Sequence, residues 1–204
     1  MGGKDSLFKP KTLLPMITLL FILGFYVYLQ YIGGTRFTAI SAAQAQPEVG
    51  KEAVVFDQLD LPWGKVFLVN TARGERTVVV RKKGPFWHSN GVITFEKSNA
   101  ADPIRTIGWL NYEYTGVHPP ESITLISIIT TDPRVAAIEV GDGTDRVKKH
   151  IEPNKPLLVW WPKTFIGSLL NPVALSSDGK PLYEYRYTYP NITDSSLKWY
   201  PVAQ

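Results

Sequence analysis

The sequence predicts an all-β domain, an antiparallel β-sandwich, preceded by one N-terminal transmembrane helix. Three observations carry this prediction: a long segment without charge near the start, a series of short β-branched and aromatic runs after it, and turn residues between those runs. Two small β subdomains sharing a surface are the alternative to a single sandwich. The 204 residues include no cysteine, so disulfides and thiolate zinc sites are excluded.

The charge-free segment comprises residues 12–32. A helix of this length crosses the roughly 30 Å hydrocarbon layer at about 1.5 Å per residue. Lys4, Lys9 and Lys11 precede the segment, so the positive-inside rule places the N terminus in the cytoplasm and the C-terminal domain outside the cell membrane. A signal peptide cleaved near residues 41–45 is the alternative, but its apolar core would exceed the usual length of about 7–15 residues. We expect an uncleaved signal-anchor.

The chain therefore divides into four parts. Residues 1–11 are a predicted cytoplasmic stub and residues 12–32 the transmembrane helix. Residues 33–50 are mostly small or polar, which favours a linker or stalk, with a helical extension of the anchor as the alternative. Residues 51–204 form the predicted extracytoplasmic β-rich domain.

The strands of this domain are predicted from runs bounded by glycine, proline, asparagine and aspartate. No segment after the anchor shows a sustained 3.6-residue apolar period, so helix should be scarce there. Gly74 within loop 71–75, and the pairs Asp142-Gly143 and Asp178-Gly179, predict hairpins, the first with a bulge. The candidate strands are 53–58, 65–70, 76–83, 91–97, 104–114, 123–130, 135–140, 157–161 and 182–189.

Alternation in the last candidate strand places phenol rings on one face and polar or charged side chains on the other. An aromatic face of this kind can stack on sugar rings, whereas the alternative is that the rings belong to the core. A second aromatic pair lies on an earlier strand, where neighbours point to opposite faces, so at most one of its indoles faces the same core. The candidate binding surface comprises Tyr183, Tyr185, Tyr187 and Tyr189, with Trp160 and Trp161 on the earlier strand.

Part of the chain resembles a known pattern. The pattern joins a β-branched run at 135–140, the Gly-Asp-Gly turn at 141–143, the run Pro-Leu-Leu-Val-Trp-Trp-Pro at 156–162 and the Ser-Asp-Gly turn at 177–179. From residue 132 to 185 this series looks like membrane-tethered β-sandwich domains of Gram-positive bacteria. The resemblance implies a sandwich fold and a surface location, and it assigns no activity or functional residue.

No motif for catalysis, cofactor binding or metal binding stands out. His88, His118 and His150 are isolated, without a second histidine at helical or finger spacing, so no metal site is predicted. Asp142 and Asp145 resemble a fragment of a calcium loop, but its closing glutamate is missing. Neither a Gly-x-Ser-x-Gly elbow nor a glycine-rich phosphate cradle occurs, and no cofactor is expected.

A serine hydrolase site would be defined by geometry and not by spacing, so it is kept as an alternative. His88 beside Ser89, and His118 near Glu121, are the positions where it would be sought.

The net charge is +4 with a pI near 9.2. Acidic and basic residues are interspersed after the anchor, so no nucleic-acid partner is predicted. Residues 81–83 and 148–150 are basic clusters that could be attracted to teichoic acids or lipid headgroups. Charges on edge strands that prevent sheet-to-sheet pairing are the simpler interpretation of both clusters.

These observations favour a single-pass membrane protein whose β-sandwich binds or positions another cell-envelope component, such as an envelope or membrane protein, without catalysis. An extracytoplasmic hydrolase acting on a cell-wall polymer is one alternative. A subunit of a larger membrane complex, in which the anchor itself is a packing surface, is another.

Overall fold

Antiparallel strands dominate the chain, as its β-branched and aromatic runs predict. The structure is a computed structural model that describes residues 10–28, 35–94, 101–165, 170–187 and 197–203. Within these residues the strands form three sheets, here termed A, B and C, and all of the strand pairings are antiparallel. The prediction of an antiparallel, mainly β fold is confirmed.

Sheet A is built mainly from successive hairpins, with strand order β1-β5-β4-β3-β2. The predicted hairpin at loop 71–75 is present: Thr71 pairs with Gly74, whose φ of +107° is one that glycine adopts without strain. The pairing of β3 with β4 is regular along its length, so the bulge predicted for this hairpin is absent. The strands are β1 (Thr35–Arg36), β2 (Val54–Leu61), β3 (Gly64–Thr71), β4 (Gly74–Lys83) and β5 (Phe86–Thr94).

Sheets B and C come from the second half of the chain. Sheet B has the order β10-β7-β6, and sheet C has the order β13-β12-β11-β8-β9. The turns at 141–143 and 177–179 connect paired neighbours of sheet C, β8 to β9 and β11 to β12, as predicted. The strands are β6 (Ile104–Tyr114), β7 (Glu121–Thr130), β8 (Ala137–Val140), β9 (Val147–His150), β10 (Leu157–Trp161), β11 (Val173–Leu175), β12 (Pro181–Arg186) and β13 (Lys198–Pro201).

Sheet B lies between the other two sheets. On β7, Ile123 and Leu125 join a core with sheet A, whereas Ile126 and Ile128 join a core with sheet C. Because successive side chains of a strand point to opposite faces, burial of both faces encloses every side chain from Ile123 to Ile128, including those of Thr124 and Ser127. The sandwich formed by B and C is therefore extended by a third sheet.

Two ion pairs join sheets A and B beside this apolar core. The guanidinium of Arg81 on β4 donates to both carboxylate oxygens of Glu121 on β7, and it lies 4.0 Å from the centre of the Tyr114 ring. Arg105 on β6 donates to Glu75 on β4 over 3.3 Å. Residues 75 and 81 lie towards opposite ends of β4, so the two pairs fix the register of one sheet over the other.

Of the segment predicted as a linker, residues 35–50 are folded onto sheet A, so this part is not a free stalk. Thr38 caps helix α2 (Ala39–Gln44) by accepting a hydrogen bond from the Ser41 backbone N–H at 3.3 Å. Ala42 and Ala43 are fully buried against a core that includes Phe67. The small side chains that suggest flexibility are the ones that let a helix backbone lie close to a sheet.

Helix α1 spans Pro10–Val27 and so overlaps the segment predicted to cross the membrane, residues 12–32. Residues 29–32 of that segment lie outside the described residues. Among the helices that the structure describes, none is both long and apolar enough to cross a membrane.

Other differences from the predicted strands concern strand bounds and short strands. β5 begins at Phe86 instead of residue 91, and β12 ends at Arg186 instead of residue 189. Residues 95–97 and 188–189 lie outside the described residues. The sequence interpretation missed β1, β9, β11 and β13, each of four residues or fewer.

Gly108 provides a test of how closely sheets A and B approach. A side chain there would place its Cβ 2.7 Å from Leu68 Cδ2 and 3.1 Å from Thr77 Oγ1. Both neighbours are fully buried and have little room to move. We expect Gly108→Val to lower the free energy of unfolding by about 1–3 kcal/mol, measured by urea denaturation of the full chain.

Gly91→Val is the matched control, because a Cβ at this glycine of β5 meets nothing within 4 Å. Equal unfolding midpoints for the two variants would contradict a tight interface at Gly108.

Candidate binding cleft

The structure separates the predicted aromatic residues of β12 by depth. Tyr183 is buried with 7% of its surface exposed, Tyr185 is half-buried, and Tyr187 just beyond the strand is 36% exposed. Tyr183 belongs to the core between sheets B and C, and Tyr185 contacts Trp109 of sheet B. Tyr189 lies outside the described residues. The aromatic face therefore runs from the core out towards solvent.

Tyr183 is fixed by a buried carboxylate. Its hydroxyl donates to Asp132 Oδ2 at 2.8 Å, and Arg134 Nη2 donates to the same oxygen at 2.7 Å. Hydrogen bonds from the Arg134 guanidinium hold the pKa of Asp132 well below its usual range despite burial. Burial, followed by the bond to Asp132, raises the pKa of Tyr183. Tyr183 thus serves the core, as the alternative interpretation of the aromatic strand anticipates.

The two neighbouring tryptophans on β10 point to opposite sides of sheet B. Trp161 is 7% exposed, and its indole N–H donates to the backbone oxygen of Asp145 at 3.0 Å. Trp160 is 39% exposed. One indole therefore serves the core, and the other remains at the surface away from the tyrosines.

A cleft of about 160 Å³ opens where the aromatic face of β12 meets sheet B. It brings together two of the predicted candidates, Tyr185 and Tyr187, and adds residues that the sequence interpretation did not single out. The described lining residues are Trp109, Asn171, Pro172, Tyr185, Arg186, Tyr187 and Leu197.

Three aromatic side chains in tilted ring contacts form one wall of the cleft and its support. The Tyr185 ring lies 5.9 Å from the Trp109 ring and 5.4 Å from the Trp199 ring, measured between centroids. Trp199 is held in turn by its indole N–H, which donates to Thr106 Oγ1 at 3.0 Å. Such offset and tilted aromatic contacts are favourable beyond the area they bury. The wall is therefore rigid and mostly apolar.

Burial raises the pKa of Tyr185 to about 12, although a hydrogen bond with Thr106 opposes the shift. The phenol is therefore neutral at physiological pH. It can present a ring face to a ligand, and it is unsuited to act as a base there.

Polar groups lie beside this wall. Arg186 is exposed, with its guanidinium 4.9 Å from the centre of the Tyr200 ring and 3.6 Å from the Glu184 carboxylate. Asn171 is exposed and adopts a φ of +34°. The cleft thus combines aromatic faces with guanidinium and amide donors. None of its described lining residues is a carboxylate or a histidine.

The histidines considered as parts of a hydrolase site lie on different elements. His88 is exposed on β5, while the neighbouring Ser89 is buried and donates to the backbone oxygen of Val79 at 3.4 Å. The Glu121 carboxylate near His118 is bound by Arg81. His150 lies on β9, in sheet C. Across the described residues, no three histidine or carboxylate side chains lie close enough together to hold a metal ion.

Comparison with known proteins adds no family. No family model matches the chain, and no curated protein or solved structure shows significant similarity to it. The resemblance to membrane-tethered domains of Gram-positive bacteria stays a prediction, and the site must be interpreted from its own geometry.

The buried Asp132 carboxylate predicts an acid-dependent loss of stability. Because its pKa is lower in the folded chain than its ordinary value of 3.8, this contribution is present above about pH 4 and is lost as the pH falls further. We expect Asp132→Asn to cost on the order of 2 kcal/mol near neutral pH. The variant should also show a shallower decline in unfolding free energy below about pH 4, measured by urea denaturation.

Asp142→Asn, in the exposed β8–β9 turn, is the control and should leave the unfolding free energy at neutral pH nearly unchanged, because its side chain makes no capping hydrogen bond. An Asp132→Asn chain as stable as the wild type at neutral pH would contradict the role of this carboxylate.

The buried Tyr185 phenol predicts a late ionisation. The measurement is an alkaline titration followed by the ultraviolet absorbance of tyrosinate. The difference between the curves of the wild type and of Tyr185→Phe should show one phenol that ionises at about pH 12. A difference step near the ordinary value of 10.0 would show that Tyr185 is solvated and that the wall is open.

Proposed function

We propose that the chain is a membrane-anchored, extracytoplasmic binding module that holds a sugar-containing polymer of the cell envelope in the β12 cleft, without catalysing a reaction. The observation that carries this proposal is the convergence of Trp109, Tyr185 and Tyr187 with Arg186 in one cleft. Small-molecule sites are typically concave and mostly apolar, with a few polar groups that orient the ligand.

The chemistry of the cleft suits a sugar ring. The faces of a pyranose carry C–H groups that pack against the negative face of an indole or phenol ring. Its hydroxyls need donors and acceptors at the rim, which the Arg186 guanidinium and the Asn171 amide supply. A volume of about 160 Å³ suits a single ring-sized group and not a folded partner.

The anchor in this proposal is α1 together with the charge-free sequence that continues to residue 32. Its large apolar side chains are exposed around the helix, with Leu14 at 72% and Phe21 at 76%. A helix that is apolar on all sides is usually buried in a protein core or in lipid. The lysines before it favour a cytoplasmic N terminus, which leaves the sheets and the cleft outside the membrane.

The exposed rim of the cleft gives the direct test. We expect Tyr187→Ala to weaken binding of the detergent-solubilised full chain to insoluble peptidoglycan about fivefold, because one stacked ring contributes about 1 kcal/mol. Arg186→Ala should weaken the same binding by removing the guanidinium that faces the sugar hydroxyls. Co-sedimentation at increasing polymer concentration measures both effects.

Trp160→Ala is the matched control, because Trp160 is an equally exposed aromatic residue that lies outside the cleft. Binding that is undetectable in the wild type, or that falls equally in Trp160→Ala and Tyr187→Ala, would refute the assignment of this cleft to wall polysaccharide.

A further inference from the structure

An aromatic contact joins the C-terminal end of α1 to sheet A. The Tyr26 ring stacks on the Phe37 ring with centroids 6.4 Å apart, and Phe37 lies 5.3 Å from Phe86. Phe37 is nevertheless 55% exposed. The sheet therefore presents apolar rings to solvent beside the end of the predicted anchor.

The β4–β5 hairpin tip carries positive charge to the same place. Arg36 of β1 pairs with Trp87 of β5, so this strand lies directly beside the tip. Lys82 places its ammonium 5.8 Å from the centre of the Trp87 ring. Lys83, at the end of β4, is exposed.

The segments that carry these cations contain no acidic residue. The sequence holds neither aspartate nor glutamate between residues 35 and 47 or between residues 76 and 95. Arg81 is set apart from the group, because Glu121 neutralises it between the sheets. The β1 and β4–β5 segments at this end of sheet A are therefore basic as well as aromatic.

Protection of a sheet edge does not explain these charges. In sheet A, β4 lies between β3 and β5, so Lys82 and Lys83 are not on an edge strand. The other basic cluster is different, because Lys148 and Lys149 lie on β9, the edge strand of sheet C among the described residues. Edge protection explains the cluster on β9 but does not explain Lys82 and Lys83.

We propose that this end of sheet A is a lipid-contact surface that binds the anionic headgroups of the bilayer in which α1 is anchored. Aromatic rings favour the headgroup level, and lysine and arginine side chains are attracted to anionic lipid. The inference rests on the membrane anchorage proposed above, and it adds that the sheets are held against the bilayer in one orientation. The surface consists of Arg36, Phe37, Lys82, Lys83, Phe86 and Trp87.

The absence of cysteine allows a direct measurement. Pro85→Cys, at the exposed hairpin tip, accepts a single fluorophore in the full chain. The labelled chain is reconstituted in nanodiscs of phosphatidylcholine, with or without phosphatidylglycerol, and a quencher is attached to a small fraction of the lipid headgroups. Ser177→Cys, in the exposed β11–β12 turn of sheet C, provides a second labelling site away from the proposed surface.

We expect quenching at Pro85→Cys to be about twofold stronger when phosphatidylglycerol is present, and to weaken in high salt because the charges are screened. Quenching at Ser177→Cys should not depend on lipid charge. Reversing the charge of the hairpin tip with Lys82→Glu and Lys83→Glu should abolish the dependence of quenching on lipid charge. Lys148→Glu and Lys149→Glu on β9 change the net charge by the same amount. These substitutions should preserve the dependence of quenching on lipid charge.

The possible outcomes distinguish a failure of the lipid-contact surface from a failure of the proposed membrane anchorage. A chain that stays in the discs through an alkaline wash, but shows the same quenching at both labelled sites, keeps the anchor and overturns the lipid-contact surface. Lipid dependence that survives reversal of the tip also overturns it. Loss of the chain from the discs in the wash overturns the anchor, and the lipid-contact surface with it.

Discussion

The need of sheet B to bury both of its faces governs this fold. The alternation of β7 sends Ile123 and Leu125 towards sheet A and Ile126 and Ile128 towards sheet C. Neither outer sheet can leave without exposing a full face of apolar side chains, at a cost of roughly 25 cal/mol for each Å². With no cysteine in the chain to cross-link the layers, this double burial is the main force that holds the three sheets together.

The cleft is a consequence of the same arrangement. Trp109 comes from sheet B and Tyr185 from sheet C, so their contact exists only because the two sheets are packed together. The bond from Tyr183 to Asp132 fixes the strand at its buried end. Tyr185 and Tyr187 then follow at two-residue steps along the same face, each more exposed than the last. The same alternating pattern thus places one tyrosine in the core and two at the cleft.

The sequence predicts the individual strands better than it predicts how the sheets pack against one another. The bounds of β6 and β10 match the prediction: Pro103 precedes β6, and Pro156 and Pro162 flank the apolar run of β10. β11 is missed because its three residues carry little periodicity and are held by distant partners. α2 is misinterpreted because alanine suits a stalk as well as a tightly packed helix. The phenols of β12 are visible in the sequence, whereas the role of Trp109 depends on which sheets face each other, and no local pattern records that.

The folding of α2 onto sheet A also determines how the module meets its surroundings. A domain on a flexible stalk would move and rotate relative to the end of its anchor, so it could meet a partner in many orientations. Here α2 and sheets A, B and C are stacked in order, and packed sheets lie about 10 Å apart. The cleft between B and C therefore keeps a fixed stand-off from the α2 layer. A polymer held in the cleft as proposed would therefore have to reach it at that distance and in one orientation.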